Sequence, residues 1–283
     1  MSFCIEKNEC LPDAIQRIAV EQLVVAAGEV AGRNVSAASI HNARKAIKRA
    51  RAVLRLLRCN GNTDAVKRQD CTLRDAGRIL AKSRDTHIQL DALKQLSICR
   101  KSSLCRDLIQ RLSDQEKHEV KEAGKHLSRF TRAIRSTESK LPDLLAPGFE
   151  EETLALALEK SYRRSRKCYK RVRKTTTGKK LHEWRKTAKT FSYHLDLLAG
   201  IAAKKLKTVT RNAHQLTDYL GDDHDLFLLL QALTHATGPD AIRVKRELRK
   251  RRSKLQKCAF KVGCKTFDLA PPAFHRRISR YLN

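Results

Sequence analysis

The stretch HNARKAIKRARAVLRLL at residues 41–57 decides the fold of this chain. Its apolar residues recur every three or four positions, which is the period of one face of an α-helix. The same pattern returns as HEWRKTAKTFSYHLDLL at residues 182–198, with His, Arg and Lys at the same spacing 141 residues later. A second pair of anchors, LAKSRD at 80–85 and LGDDHD at 220–225, lies at an offset of 140. Two pairs of similar segments at nearly the same offset predict a duplicated helical unit.

The placement of proline favours helix along most of the chain. The 283 residues include only 6 Pro, and the tracts 13–141 and 148–238 contain none. An α-helix tolerates Pro only in its first turn, and sustained period-two alternation, the mark of a strand, does not occur. We therefore predict an all-α fold of two four-helix bundles. The expected helices lie near 11–30, 36–59, 65–97 and 103–135 in the first half, and near 150–175, 178–199, 202–236 and 240–260 in the second.

The best internal boundary is the segment PDLLAPG at residues 142–148, close to the midpoint of the chain. Proline and glycine punctuate connections between helices. The predicted organisation is a first repeat over 1–141, a linker over 142–149 and a second repeat over 150–283.

The overall charge indicates an anionic partner. Lys and Arg number 60 against 30 Asp and Glu, for a net charge of +30, while a 41% apolar content is enough for a buried core. No apolar run is long enough to span a membrane, and the acidic N-terminus does not look like a signal peptide. Nine Cys without a CxxC motif indicate reduced thiols in a cytoplasmic protein and predict neither a metal site nor a cofactor.

The basic residues are gathered into helical stripes. On a helical wheel, five side chains between His41 and Arg55 share an arc of about 80° beside the apolar arc, which aims them into a groove between helices. Similar stripes begin at Arg163, His182 and Lys207, and residues 160–211 hold 18 Lys and Arg but only 2 Asp and Glu. With their neighbours, the candidate binding residues are His41, Arg44, Lys45, Lys48, Arg51, Arg55, Arg163, Arg166, Lys170, Arg173, His182, Arg185, Lys186, Lys189, Lys207 and Arg211.

Such stripes indicate a polyanion. Like charges on facing helices repel and destabilise a bundle unless something neutralises them. The predicted helix at 103–135 shows the contrast, because its Lys residues alternate with Asp and Glu as on an ordinary solvated face.

The paired motifs closely resemble the signature repeats of the CHAD domain, the conserved-histidine α-helical domain. The resemblance implies two four-helix bundles related by a pseudo-twofold axis, with a basic central groove that binds inorganic polyphosphate, often at polyphosphate granules. It implies as binders His41, Arg44, Lys48 and Arg51 in the first half, and His182, Arg185 and Lys189 in the second. The chain departs from the family pattern at Ser192, where an Arg is expected, and at His224, which stands where the first half has Arg84.

We expect a non-catalytic polyphosphate-binding protein. Polyphosphate has no bases, and the low aromatic content, with 1 Trp and 5 Tyr, suits a ligand that needs no stacking platforms. Three alternatives stay open. The first is binding of a nucleic-acid backbone in the same groove. The second is a metal-dependent phosphohydrolase of the HD type around His224 and Asp225, with Asp222, Asp223, His182 and His214 near. The third is phosphotransfer on His41.

Overall fold

The structure, a computed structural model, describes residues 3–32, 35–59, 63–94, 102–145 and 148–282, except the side chains of residues 82–84. These residues form helices and connections without a strand, which confirms the all-α prediction. The helices are α1 (Leu11–Gly28), α2 (Ala37–Leu57), α3 (Thr63–Ile79), α4 (Ala81–Lys94), α5 (Ser103–Gly124), α6 (Leu127–Glu138), α7 (Leu141–Leu144), α8 (Glu151–Lys174), α9 (Gly178–Leu197), α10 (Ala199–Ala232), α11 (Pro239–Thr266) and α12 (Pro271–Leu282).

Local capping chemistry sets where the main helices begin. The hydroxyl of Ser36 accepts a hydrogen bond from the Ser39 amide at the start of α2, and that of Thr177 accepts from the Lys180 amide at the start of α9. Each hydroxyl satisfies one of the amides that a helix leaves without an internal partner. Both signature motifs therefore lie within single, well-capped helices.

The larger hydrophobic core draws on both halves of the chain. Its members include Ile15 of α1 and Ile47 of α2, together with Trp184 and Phe191 of α9 and Phe274 of α12. Aromatic rings pack closely around α8, where Tyr162 stacks on Phe274 with ring centroids 4.0 Å apart. One continuous core therefore joins residues that lie more than 200 positions apart in the sequence.

A second, smaller core also joins the two halves. Leu90 and Leu93 of α4 and Leu108 and Leu112 of α5 belong to one cluster with Leu229 of α10 and with Val244 and Leu248 of α11. The α4–α5 hairpin thus lies against the far end of the α10–α11 hairpin.

The observed helices differ from the predicted ones in several places, and the second core explains the first of these differences. The predicted helix 65–97 is interrupted at Leu80, since α3 packs on α2 and α6 whereas α4 belongs to the second core. The predicted helix 103–135 is likewise divided into α5 and α6. The predicted break near residue 200 corresponds to Leu198, where α9 gives way to α10, and α10 is then kinked at Ala202. The last helix, α12, has no counterpart in the prediction.

The segment predicted as a linker contains one helical turn, α7, followed by Phe149, which is buried. Residues 146–147 lie outside the described residues. The division of the chain into two repeats at this segment stays a prediction.

A carboxylate shared by three guanidinium groups fixes α2 to α3. Asp70 of α3 accepts hydrogen bonds from Arg51 (2.7 Å), Arg55 (3.4 Å) and Arg58 (2.8 Å). Burial alone would raise the pKa of the Asp70 carboxyl, but the three Arg charges outweigh burial and lower that pKa below its usual value. The C-terminal part of the first basic stripe is therefore engaged by a carboxylate within the protein.

Two hydrogen bonds tie α2 to α9 across the halves. The Arg55 guanidinium donates to the Thr190 hydroxyl (2.9 Å), and His194 Nε2 lies 2.9 Å from the carbonyl oxygen of Ala52. Because a carbonyl oxygen only accepts, His194 must carry its proton on Nε2. Burial lowers the pKa of His194 to about 4, so this imidazole is neutral at physiological pH.

Replacement by alanine should change the stability of the protein in opposite directions at two glycines of α10. A Cβ at Gly200 would lie 2.0 Å from the Ile5 carbonyl oxygen, whereas a Cβ at Gly221 meets nothing within 4 Å. We expect Gly200→Ala to lower the free energy of unfolding by about 2 kcal/mol through overpacking. Gly221→Ala should raise it by about 1 kcal/mol because Ala favours helix. Urea unfolding measures both, and equal effects at the two positions would contradict the close approach of Ile5.

Replacing the shared carboxylate should destabilise the fold. We expect Asp70→Asn to cost about 3 kcal/mol at neutral pH, because three guanidinium groups lose their counter-charge in a poorly solvated place. The folded pKa of Asp70 is lowered, so its contribution is complete above the unfolded value of about 4 and disappears as the pH falls below it. The gap between wild type and variant in urea unfolding should therefore narrow below about pH 4.

The matched control is Asp64→Asn on the same helix, whose carboxylate pairs with Lys67 in an exposed position. Exposed pairs contribute little, so this change should be nearly neutral. Similar losses for the two variants would show that Asp70 has no special structural role.

Candidate functional site

The first signature helix, α2, presents its basic residues in two groups. Arg51 and Arg55 belong to the Asp70 network described above. Nearer the start of the helix, His41 and Arg44 are half-buried, and Arg44 Nη1 donates to the Gly77 carbonyl oxygen on α3 (2.9 Å). Lys45 and Lys48 are exposed on the same part of the helix. The portion of the stripe that lies outside the Asp70 network is therefore its first two to three turns.

The second signature helix, α9, brings a matching set of cations. His182, Arg185 and Lys189 are half-buried, while Lys186 is exposed and pairs with Glu183 (2.9 Å). Burial lowers the pKa of the Lys189 ammonium; Asp218 and Asp196 oppose this shift, while Arg185 and Lys45 add to it. The influence of Lys45 on Lys189 shows that the stripes of α2 and α9 lie near each other.

His182 and His224 form the centre of the site. Their rings lie with centroids 4.8 Å apart, which brings α9 against the LGDDHD segment of α10. Burial is the largest cause that lowers the pKa of His224 to about 3, and the positive charges of Arg185, His182, Arg252 and Lys48 add to it. These five residues, Lys48, His182, Arg185, His224 and Arg252, are called the central cluster below.

Arg252 enters the central cluster from α11, a helix that carries no predicted binding residue. It donates to both carboxylate oxygens of Asp223 (3.0 and 3.2 Å) and lies over the ring of Phe227 at 5.0 Å. Gln256 donates to the same carboxylate (2.8 Å). The only indication of Arg252 in the sequence is the run of aspartates at 222–225. These carboxylates need basic partners, but the sequence does not specify which Arg or Lys supplies them.

The surroundings of His182 are suited to contact with an anion. Burial lowers its pKa, Lys186 and Arg185 lower it further, and Glu183 and Asp85 oppose them. Its buried Nδ1 atom has no hydrogen-bond partner among the described residues. An anion placed at this ring would favour the protonated form, in which both ring nitrogens donate.

The α8 stripe lies elsewhere. Arg163 pairs with Glu159, and Arg166 donates to the Phe267 carbonyl oxygen (3.1 Å), while Arg173 lies over the ring of Tyr169. Arg163, Arg166 and Lys170 line a shallow groove beside Pro271 at the start of α12. These contacts direct the stripe toward α11 and α12, so it forms a surface separate from the central cluster.

The α10 stripe lines a third groove. Lys207 and Arg211 are exposed along it with His214, whose Nε2 lies 2.6 Å from Asp196 Oδ1. The hydrogen bond to Asp196 raises the pKa of His214, against the opposing effect of burial. Asp196 stands where the first signature helix has Arg55, and its carboxylate pairs with a histidine.

The two residues that depart from the family pattern lie in different parts of the structure. Ser192 is buried in the core, so its side chain does not reach the central cluster. The Arg84 side chain lies outside the described residues, and the position related to it by the repeat is His224 of the central cluster.

The chemistry of the site suits an anion. The central cluster draws Lys, Arg and His side chains from four helices, and the described residues contain no group of three His, Cys, Asp or Glu side chains placed to hold a metal ion. The charge around His182 and His224 would repel a cation. None of the described helices is both long and apolar enough to cross a lipid bilayer.

Comparison with known proteins gives a family. The family model described as the CHAD domain matches residues 15–234, well over half of the chain. The crystal structure of the CHAD domain from the plant Ricinus communis covers 98% of this chain and 94% of its own, with a TM-score of 0.65 and 16% sequence identity, which shows a shared fold. A search of curated proteins gave no match. The paired His-x-x-Arg helices, the family match and the shared fold agree, and the chain belongs to the CHAD domain family.

Proposed function

We propose that this protein binds inorganic polyphosphate at the central cluster, in a basic groove between its two halves, without turning it over. The CHAD domain family is linked to polyphosphate binding in general. The observation that carries the proposal is the meeting of α2, α9, α10 and α11 cations around the His182–His224 pair. We further propose that binding brings the protein to polyphosphate granules.

The residue types in the central cluster fit a chain of phosphoryl groups. Arg185 supplies a fork of donors that matches two phosphate oxygens, and Lys48 supplies a mobile point charge. No carboxylate forms an ion pair with Arg185 among the described residues. The single Trp, Trp184, is fully buried, so it is not a platform for stacking bases. A base-free polyanion is therefore favoured over single-stranded nucleic acid.

Helix positions support the proposed duplication. Adding 141 to the bounds of α1 and α2 gives 152–169 and 178–198, and adding 140 to those of α5 and α6 gives 243–264 and 267–278. These ranges fall within a few residues of α8, α9, α11 and α12. On this reading the first half holds α1 to α6, the second half holds α8 to α12, and the groove lies where α2 and α9 meet.

The remaining predicted residues take secondary roles in this proposal. Arg51 and Arg55 are already engaged by Asp70, so they hold α2 in place. The α8 and α10 stripes, with Arg163, Arg166, Lys170, Arg173, Lys207 and Arg211, raise the local potential that attracts a polyanion.

Reversing two central charges should weaken binding. We expect the double variant Lys48→Glu, Arg185→Glu to lower affinity for polyphosphate by about tenfold or more. Its plot of log affinity against log salt should be less steep than that of the wild type, because fewer counterions are released. Isothermal titration calorimetry at several salt concentrations measures both quantities.

The matched control is Arg111→Glu, Lys121→Glu, which makes the same charge change on the exposed face of α5. Equal losses in the two double variants would mean that charge acts only diffusely, and would overturn the proposed site. Duplex DNA that polyphosphate fails to displace would favour nucleic acid instead. Release of orthophosphate that depends on His224 would establish an enzyme.

Binding should tighten as the pH falls. In the free protein, burial and the cations Arg185, His182, Arg252 and Lys48 lower the pKa of His224 to about 3. A bound polyanion supplies negative charge and raises that pKa, so binding takes up protons between about pH 3 and the usual value near 6.5. Affinity measured at pH 5.5 should exceed that at pH 7.5 more for wild type than for His224→Gln. Identical pH dependence in the two proteins would exclude His224 from the site.

A further inference from the structure

The outer face of α11 carries a row of cations that the central cluster does not use. Its spacing is four, four, three, four and four residues, so one exposed cation stands on each turn: Arg246, Lys250, Lys254, Lys257, Lys261 and Lys265. At 1.5 Å per residue the row is about 28 Å long. These six residues are called the α11 row below.

The acids of α11 do not neutralise this row. The helix has 11 Lys and Arg but only Asp240 and Glu247. Glu247 pairs with Arg251 (2.9 Å), and Asp240 accepts a hydrogen bond from Ser102 (2.9 Å). No member of the α11 row forms an ion pair within the described residues. The row is therefore a line of uncompensated charge.

The other side of α11 is anchored, which keeps the row straight. Val244 and Leu248 are buried in the smaller core, and Gly263 lies so close to Trp184 that a Cβ would come within 2.8 Å of its ring. Phe260, the one aromatic residue of the helix, stacks on the same Trp184 ring with centroids 5.7 Å apart. No aromatic residue of α11 is thus exposed beside the row.

The equivalent face of α5 shows that the row is not a general property of the fold. At an offset of 140, the row corresponds to Arg106, Gln110, Asp114, Lys117, Lys121 and Lys125. Lys117 pairs there with Asp114, and Lys125 pairs with Glu122. The mixed face of α5 is an ordinary solvated surface, whereas the face of α11 has one sign of charge.

We infer that the α11 row is a second binding surface for long-chain polyphosphate. This inference rests on the proposed function of the central cluster and extends it. Arg252 points to the central cluster from the opposite side of α11, about 190° around the helix from the middle of the row. A short chain in the cluster cannot contact the row, whereas a long chain passing over the helix contacts both. Joining two sites on one ligand raises the overall affinity without any new contact in the cluster.

The occupant is a flexible linear polyanion without bases rather than single-stranded nucleic acid. The row is a single file of charges, one per helical turn, and α11 offers no exposed ring on which the bases of a single strand could stack. Its spacing suits an unbranched chain that lies along the helix axis.

The test compares two triple variants with identical helical spacing. Lys257→Glu, Lys261→Glu, Lys265→Glu removes half of the row, and Lys117→Glu, Lys121→Glu, Lys125→Glu makes the same change on α5. We expect the α11 variant to lose about tenfold in affinity for long-chain polyphosphate and less than about twofold for a short chain. The α5 variant should change by less than about twofold for either chain. Circular dichroism checks the fold, and a Gln triple at the same α11 positions replaces the Glu triple if that protein is unstable.

Separate outcomes distinguish the two hypotheses. If the Lys48→Glu, Arg185→Glu variant loses affinity for both chain lengths while the α11 and α5 variants behave alike, the proposed function stands and the second surface is refuted. If the wild type binds neither chain, both fall together. If the α11 variant loses affinity for duplex DNA but not for long polyphosphate, the row serves nucleic acid and the inference is wrong.

Discussion

The buried contact between α2 and α9 is the constraint on which the rest of the structure depends. It sets two helices of like charge side by side, an arrangement that Coulomb repulsion opposes. The contact persists because the Arg55–Thr190 and His194–Ala52 hydrogen bonds span it and because the apolar faces of both helices enter one core. Asp70 partly offsets the charge of the C-terminal part of the α2 stripe. The remaining residues of the stripe, nearer the start of α2, lie outside the Asp70 network.

Because the packing of these helices fixes the cations in place, the positive electrostatic potential of the central cluster is already present in the free protein. The cations around His224 are held by packing before any ligand arrives, and the lowered pKa of that imidazole reflects burial together with the field they create. In the proposed function, a bound polyanion would reduce the repulsion among these cations, and that reduction would contribute to its binding free energy. Phe227 under Arg252 and Asp223 beside it fix one of those cations in direction as well as position.

Much of the fold was predictable from the sequence. The period of α2 and α9, their His-x-x-Arg motifs and the 141-residue offset predicted both helices. The candidate site residues on these helices were also named from the sequence, and their binding roles stay a prediction. Arg252 was not predictable, because its role depends on α11 crossing next to the LGDDHD segment of α10. The second core was missed for the same reason, since Leu90 and Leu229 are far apart in sequence and carry no signal that they meet. The α12 helix was missed because the chain after residue 260 shows no repeat at the level of motifs.

The sequence by itself determined helix content, the two signature helices and the family, because local periodicity and residue spacing are properties of the chain alone. It also predicted an anionic ligand. Only the tertiary structure decided which stripes share a surface. It placed His182 beside His224, and it turned the α8 stripe toward α12 and the α11 row toward the outside. The physical reason is that helical periodicity gives the angle of a side chain around its own axis, whereas its neighbours depend on how the hydrophobic cores pack the helices against one another.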